Sequence, residues 1–431
     1  MLTPRKKELT HFMKSKNQIN IYIVGAGISG LIAAQILENH GYLPIILEAT
    51  DRVGGRVKTD IIEGYQLDHG FQVMLEAYPK AKEYLDYEKL DLQKLLPGAV
   101  IFKNGTSQTL GDPLRALSLA IPTVLASAGS IRDKIKILKL NYDLAAKSLE
   151  EIFSTNEQTT LEYLQNFGFS NRIINTFFKP FFSGIFLEVN LQTSSRMFEF
   201  VYKMFGEGLA VIPKAGIGAI SEQLKSNLKN TTFKFNTKVK QITNESIILE
   251  DGSLLNSDST IIATEASPLI ANLSNQQIEW KGVDNLYFEV DTMVLEKPII
   301  GLFQEENSLI NNIFYPTAIA TQSKGTKTLL SVSVVKEHQF SEQELVNAIK
   351  KELSQQAKIE NCRFLKRYRI TKALPKLSNL RYSMATTETR LSSNIFLAGD
   401  QQLNGSLNAA MISGERAALG AIKVLEGGLV D

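Results

Sequence analysis

The sequence predicts an α/β fold in which a nucleotide-binding unit is interleaved with a second region of α+β character. Three observations carry this. The apolar run Ile21 to Val24 leads into the turn Gly25-Ala26-Gly27-Ile28-Ser29-Gly30, and Leu31 to His40 follows with helical apolar spacing at Leu31, Ala34 and Leu37. Ile45 to Leu47 then restarts an apolar strand that ends in an acid, Glu48. Strand patterning returns further along, at 232–264 and again at 395–398, with helical stretches between.

Each glycine of the turn has a steric task. Gly25 permits the tight strand-to-helix turn, Gly27 lets the backbone approach a pyrophosphate, and Gly30 lets the helix lie close to the sheet. The N-terminus of the following helix presents N–H groups and a partial positive charge to phosphates. Gly41 is placed to end that helix. The Glu48 carboxylate, with Ala49 behind it, suits ribose hydroxyls and disfavours a 2′-phosphate, which argues against NADP in this slot. These elements occur in the order of a Rossmann-like unit, whereas a bland β-α-β unit would need none of the acid and glycine placement. In the loop Asp51-Arg52-Val53-Gly54-Gly55-Arg56, Gly54 and Gly55 permit close backbone passage, and Arg52 and Arg56 offer forked donors that neutralise phosphate. A solvated basic turn is the ordinary alternative.

With those residues the chain resembles the N-terminal fingerprint of the flavin-containing amine oxidase superfamily, which also includes protoporphyrinogen oxidases and phytoene desaturase-like enzymes. The resemblance implies bound FAD. The segment Asp68-His69-Gly70-Phe71-Gln72 is similar to the one that passes beside the isoalloxazine in that family, and Ile395 to Ala421 is similar to its C-terminal flavin-binding strand and helix. In the latter, Gly399 and Asp400 end the strand, Asp400 is expected to accept from ribityl hydroxyls, and Ser406, Leu407 and Asn408 lead into a helix of small residues. Those small residues are expected to permit close approach to the cofactor, and the positive helix end to face the flavin pyrimidine edge. Thr237-Lys238-Val239 looks like the strand whose backbone meets the adenine, at Val239, and Ile261 to Thr264 looks like the strand that re-enters the main sheet. A plain β-meander would explain that stretch without a ligand.

At 431 residues the chain exceeds what one hydrophobic core usually serves, so two domains are expected. We assign 19–98, 205–265 and 385–431 to the FAD-binding domain, 99–204 and 266–384 to a substrate-binding domain, and 1–18 to a flexible tail. Forty-seven basic against 45 acidic residues give a net charge of +2, which points to no nucleic-acid partner. The single cysteine, Cys362, forbids an internal disulfide and a cysteine metal cluster, and a cytoplasmic location fits. Met1 to Gln18 has no apolar core of a signal peptide, and Leu117 to Ile131 falls short of the ~20 residues needed to span a bilayer. Leu114 to Ile131, followed by Arg132, Lys134, Lys136 and Lys139, is nevertheless suited to a weak peripheral membrane contact, or to lining the interior.

In the middle of the chain, Lys134 to Leu149 carries an amphipathic stripe at Ile135, Leu138, Tyr142 and Ala145. Ser341 to Gln356 reads as a helix with Leu345, Val346, Ile349 and Leu353 on one side, and Tyr368 to Ala373 as a strand. The aromatic run Phe177 to Phe186 is either core or the wall of an apolar pocket. Lys179 within it is a candidate to position a carboxylate or water, or is simply solvated. His69 is a candidate to hydrogen-bond near the flavin or move a proton, or merely shapes its turn. His11, His40 and His338 fall on expected surface segments in no metal-ligand pattern, so no metal is expected.

No second GxGxxG and no CxxC occur, so neither a second dinucleotide nor a redox disulfide is expected; reduced flavin would pass electrons to a diffusible acceptor, oxygen or a quinone. Gly405-Ser406-Leu407-Asn408 lacks the aromatic residue usual in amine oxidation, and Trp280 is the lone tryptophan. The resemblance therefore leans toward a small apolar substrate, polyene-like or porphyrinogen-like, that is oxidised, desaturated or isomerised. A peroxide-producing amine oxidase and a non-catalytic carrier of an apolar ligand remain the alternatives.

Overall fold

The computed structural model describes residues 15–112, 115–273 and 276–428. Five parallel strands lie in the spatial order Thr232–Lys234, Ile45–Leu47, Ile21–Val24, Ser259–Ile262 and Ile395–Leu397. All four residues of Ile21–Val24 are buried, as a central parallel strand covered on both faces requires. The first helix runs Ile28–Asn39 and so begins inside the glycine turn. It ends in a Schellman motif: Gly41, at φ 80°, donates to the Glu38 carbonyl at 2.9 Å and Tyr42 donates to the Leu37 carbonyl at 3.0 Å.

The closing helix, Leu407–Leu425, packs against that first helix. A Cβ at Gly414 would strike the Ser29 carbonyl oxygen. Gly414 thus serves a helix-to-helix contact, while Ala410, nearer the helix start, lines a cavity. Between sheet and helix, the Ser413 hydroxyl accepts from the Gly399 N–H at 2.9 Å and fixes the end of the last parallel strand.

A second sheet has seven strands, in the order Arg363–Lys376, Glu279–Val290, Thr328–Val334, Asn312–Phe314, Ile300–Phe303, Gly98–Lys103 and Thr106–Gly111. Arg363–Lys376 is longer than the expected 368–373 because it follows the long Glu279–Val290 strand through two register shifts. The helix Glu342–Ala357 is capped by Ser341 and Glu344 and buries Leu345, Val346, Ile349 and Leu353, the expected face.

The helix over 131–146 (Ile131–Ala146) buries Asp133, Leu140 and Leu144, so the stripe Ile135, Leu138 and Tyr142 points outward. Inward anchoring wins because Lys203 Nζ donates to the Leu144 and Ala145 carbonyls at 2.9 and 3.1 Å, while the Asp133 carboxylate accepts from Ser130 and Ser170. His338 is not on the surface but buried, 3.1 Å from Asp284. Of the expected tail, 1–14 lie outside the described residues, while Lys16 is tethered to Glu426 at 2.7 Å. Leu114, the first residue of the expected membrane-contact stretch, also lies outside them.

Candidate active site

The site grows from the C-terminal ends of the parallel strands, where open α/β sheets bind ligands. Gly27 caps the first helix without a side-chain hydrogen bond, and a Cβ built on it would meet nothing within 4 Å. A Cβ on Gly30 would strike the Gly25 carbonyl oxygen, so only glycine lets this turn close. Ala26, Ile28 and Gly30 form the buried inner side of the turn, and Gly25, Gly27 and Ser29 face a cavity.

Glu48 is held by both oxygens. Oε2 accepts from the Ala26 N–H at 2.8 Å, and Oε1 accepts from the Thr50 N–H and hydroxyl at 2.9 and 2.7 Å. Glu48 borders the cavity; Ala49 does not. Residues 237–239 stand alongside, for the Thr237 N–H donates to the Glu48 carbonyl at 2.8 Å, yet Val239 packs against the sheet core and does not line the cavity.

The arginine loop divides its labour. Gly54, at φ 118°, donates to the Ala26 carbonyl at 2.9 Å, and a Cβ there would strike the Val57 carbonyl oxygen. Gly55 then passes 3.4 Å, measured from a would-be Cβ, above the Gly27 Cα. Arg56 lines the cavity: its guanidinium pairs with the buried Asp400, donates to the Ala373 carbonyl at 3.0 Å and lies 5.2 Å over the Trp280 ring. Arg52 does not line it. Its guanidinium is held by Asp60, which corrects the expectation of two phosphate-facing arginines.

Asp60 is the residue the sequence did not reveal. It accepts from Arg52, from the Tyr368 hydroxyl at 2.7 Å and sits 2.9 Å from His69 Nε2. Burial opposes its charge, but the hydrogen bonds from Arg52, Tyr368 and His69 outweigh that and hold its carboxyl down at about 2. His69 lines the cavity and its ring lies 4.6 Å from that of Tyr368. Gly70, Phe71 and Gln72 line it too, Phe71 against Phe314 and Gln72 donating to the Arg56 and His69 carbonyls at 2.9 and 2.8 Å.

Three expected residues turn elsewhere. The Asp68 carboxylate accepts from the Thr59 hydroxyl at 2.6 Å and the Ile217 N–H at 3.0 Å, and burial pushes its pKa up to about 6. The buried Asn408 Oδ1 accepts from the Lys80 N–H at 2.9 Å, so it braces the Pro79–Tyr84 helix. Lys179 does not line the cavity. Thr264, Gly399, Asp400, Ser406 and Leu407 do, and Ser406 caps the closing helix by accepting from the Ala409 N–H at 3.0 Å. That helix therefore aims its N-terminus at the cavity.

From the glycine turn the cavity extends for about 2280 Å³ past His69 to Phe177, Phe181, Phe182 and Phe186 on the far wall. It is a dinucleotide cradle continuous with an aromatic chamber. The space over Gly27, the fixed carboxylate of Glu48 and the forked Arg56 fit a flavin dinucleotide, and this class of fold and site is that of a flavoprotein.

A family model described as "flavin containing amine oxidoreductase" matches residues 28–421, and the chain belongs to that family; its cofactor is FAD. Protoporphyrinogen oxidase 2 of Arabidopsis thaliana is 28% identical over 174 residues, which is 40% of this chain but only 34% of that protein. Among solved structures, a protein of Exiguobacterium provisionally assigned as a protoporphyrinogen oxidase superposes with a TM-score of 0.69 at 16% identity, covering 95% of this chain and 99% of its own. Cyclohexylamine oxidase of Brevibacterium oxydans does so with a TM-score of 0.65 at 14% identity, covering 95% and 99%. These structural likenesses establish the shared fold. Among the described residues no cluster suited to a metal ion occurs, and no helix is long and apolar enough to cross a membrane.

Proposed function

We propose that the protein is an FAD-dependent oxidoreductase acting on an apolar, conjugated substrate, polyene-like or porphyrinogen-like. The observation that carries this is the aromatic chamber, which opens directly onto the His69 to Gln72 segment. Phe177, Phe181, Phe182 and Phe186 offer flat apolar faces, while Glu162 and Glu188 of the same lining already accept from the Thr159, Asn190 and Thr193 N–H groups. Ser406, Leu407 and Ala410 stand where the closing helix meets the cavity, with no aromatic side chain among them.

When bound, FAD supplies a hydride acceptor at N5. The turn from Gly25 to Gly30 would hold its pyrophosphate, Glu48 its ribose, and Arg56 with Asp400 the middle of its length. Val239 is assigned to the adenine end through its backbone. In our reading His69 moves the proton that accompanies hydride loss. Its Nε2–H donates to the ionised Asp60, which leaves Nδ1 as the acceptor in the neutral imidazole. Tyr368 and Arg52 hold Asp60 in place for that role. Electrons would leave for oxygen or a quinone. A cytoplasmic location is part of this reading.

Anaerobic mixing of the holoprotein with polyenes, porphyrinogens and amines tests the proposal. Bleaching of the flavin band with a conjugated apolar compound is the expected result. Bleaching by amines alone, with peroxide on admitting air, would establish the amine oxidase reading that the likeness to cyclohexylamine oxidase favours. A spectral shift without bleaching would establish a carrier or redox-neutral chemistry.

A further inference from the structure

We propose that the outward face of the Ile131–Ala146 helix docks on an anionic lipid bilayer and sets the cavity mouth against it. Ile131, Ile135, Leu138 and Tyr142 are 77%, 61%, 51% and 78% exposed, and their spacing of four, three and four residues puts them on one ridge. Ile121, in the preceding helix Ala120–Leu125, is 73% exposed as well. Among the described residues, half of the exposed large hydrophobic side chains thus fall within 121–142. Such a concentration needs a partner.

This is a firmly seated helix, not one that has come loose. Its opposite side buries Leu140 and Leu144, its start is pinned through Asp133 and Ser170, and its end through Lys203. The apolar ridge therefore stands out from the molecule on a fixed base.

Charge selects the occupant. Arg132 flanks the ridge on one side and Lys134 on the other, while Lys139 offsets one of the helix's two acids, Asp143, and the other, Asp133, is buried. An apolar crest with a basic rim matches acyl chains beneath anionic headgroups. The position supplies the reason. Lys134, Ile137, Leu138 and Asn141 of this helix also line the cavity, so Leu138 belongs both to the ridge and to the chamber. An apolar ligand dissolved in lipid would enter there without crossing water. The membrane contact expected from the sequence is thereby moved from Leu114–Ile131 onto the next helix, and it stands on this surface alone, independent of the reaction class.

Flotation of the holoprotein with vesicles of phosphatidylcholine, with and without phosphatidylglycerol, tests it. We expect the protein to rise with the anionic vesicles and less so as salt increases. The double variant Ile131→Ser, Ile135→Ser should lose about tenfold or more of that binding, since each removes a buried side chain from lipid. Its flavin absorbance should be unchanged, which shows fold and cradle intact and separates this result from any failure of the flavin reading. Wild-type protein that stays down with both vesicles, or a double variant that rises equally, would overturn the proposal. So would a solution dimer that the same double variant dissociates, which would give the ridge to a second copy of the chain.

Discussion

At the scale of single residues, the cradle depends on groups whose partners lie far away in sequence. Asp68 makes this testable. Its carboxyl, near 3.8 when unperturbed, is raised by burial to about 6 in the fold. A raised pKa means the folded state binds the proton more tightly, so this group's stability contribution is fully present below about pH 4 and declines as pH rises through 6. Asp68→Asn keeps an oxygen for the Thr59 hydroxyl and the Ile217 N–H and removes the buried charge. Thermal melts should show the variant more stable than the parent at pH 7.5, by on the order of 1 kcal/mol, and equal to it near pH 4. Flavin content should not change, because Asp68 does not line the cavity. A variant no more stable at pH 7.5 would refute the account.

Asp60 has the opposite sign. Held at about 2, it contributes stability above its ordinary pKa that is lost only as pH falls toward 2, so it is ionised wherever the enzyme would work. Asp60→Asn would leave His69 without its anionic partner. We expect flavin reduction to slow by about tenfold or more with flavin binding retained, because the imidazole loses the carboxylate that orients it; an unchanged rate would remove His69 from proton transfer. The turn glycines and Glu48 were legible in the sequence because their steric and charge demands are local. Asp60, Arg52 and Asn408 were not, since Asp60 gathers Arg52 from the preceding loop and His69 from the far end of the hairpin Thr59–Ile62 and Tyr65–Asp68, and Asn408 meets Lys80. That hairpin turns on Glu63 and Gly64, both at positive φ, and glutamate in a place usually held by Asn, Asp or Gly hid the signal.

At the scale of elements, the contact between the first and closing helices positions both helix N-termini at the cavity. It rests on a glycine. A Cβ at Gly414 would strike the backbone of Ser29, which no rotamer change relieves, so Gly414→Ala should cost about 2 kcal/mol in urea unfolding. Because Ser29 lines the cavity within the glycine turn, the same variant should release flavin more readily than its stability alone explains. Retention of flavin at the parent's affinity would show that the two helix ends are set independently. Small residues announced a close approach in the sequence, but periodicity does not say what approaches. The Ile131–Ala146 helix teaches the same limit: amphipathic spacing identified the ridge and could not tell a core-facing stripe from one facing out.

At the scale of the molecule, the chain passes repeatedly between the two main sheets: parallel strands come from 21–47, 232–262 and 395–397, and the seven-stranded sheet takes 98–111 and 279–376. Neither sheet is completed before the other has begun. Direct bonds add to this coupling: the Tyr287 hydroxyl donates to the Asp68 carbonyl at 2.9 Å, Tyr368 donates to Asp60, and Lys324 donates to the Gly64 carbonyl at 2.7 Å. The cradle itself is built across the junction, since Arg56, paired with Asp400, meets Trp280 and Ala373 of the large sheet. A ligand that binds only the folded state stabilises everything that must fold to form its site. Removing flavin should therefore lower the melting temperature of the whole chain in one transition, with far-UV circular dichroism and tryptophan fluorescence at Trp280 moving together. Two separated transitions in the apoprotein, with one sheet persisting, would show that the strand crossings do not couple the halves and that flavin stabilises only its own.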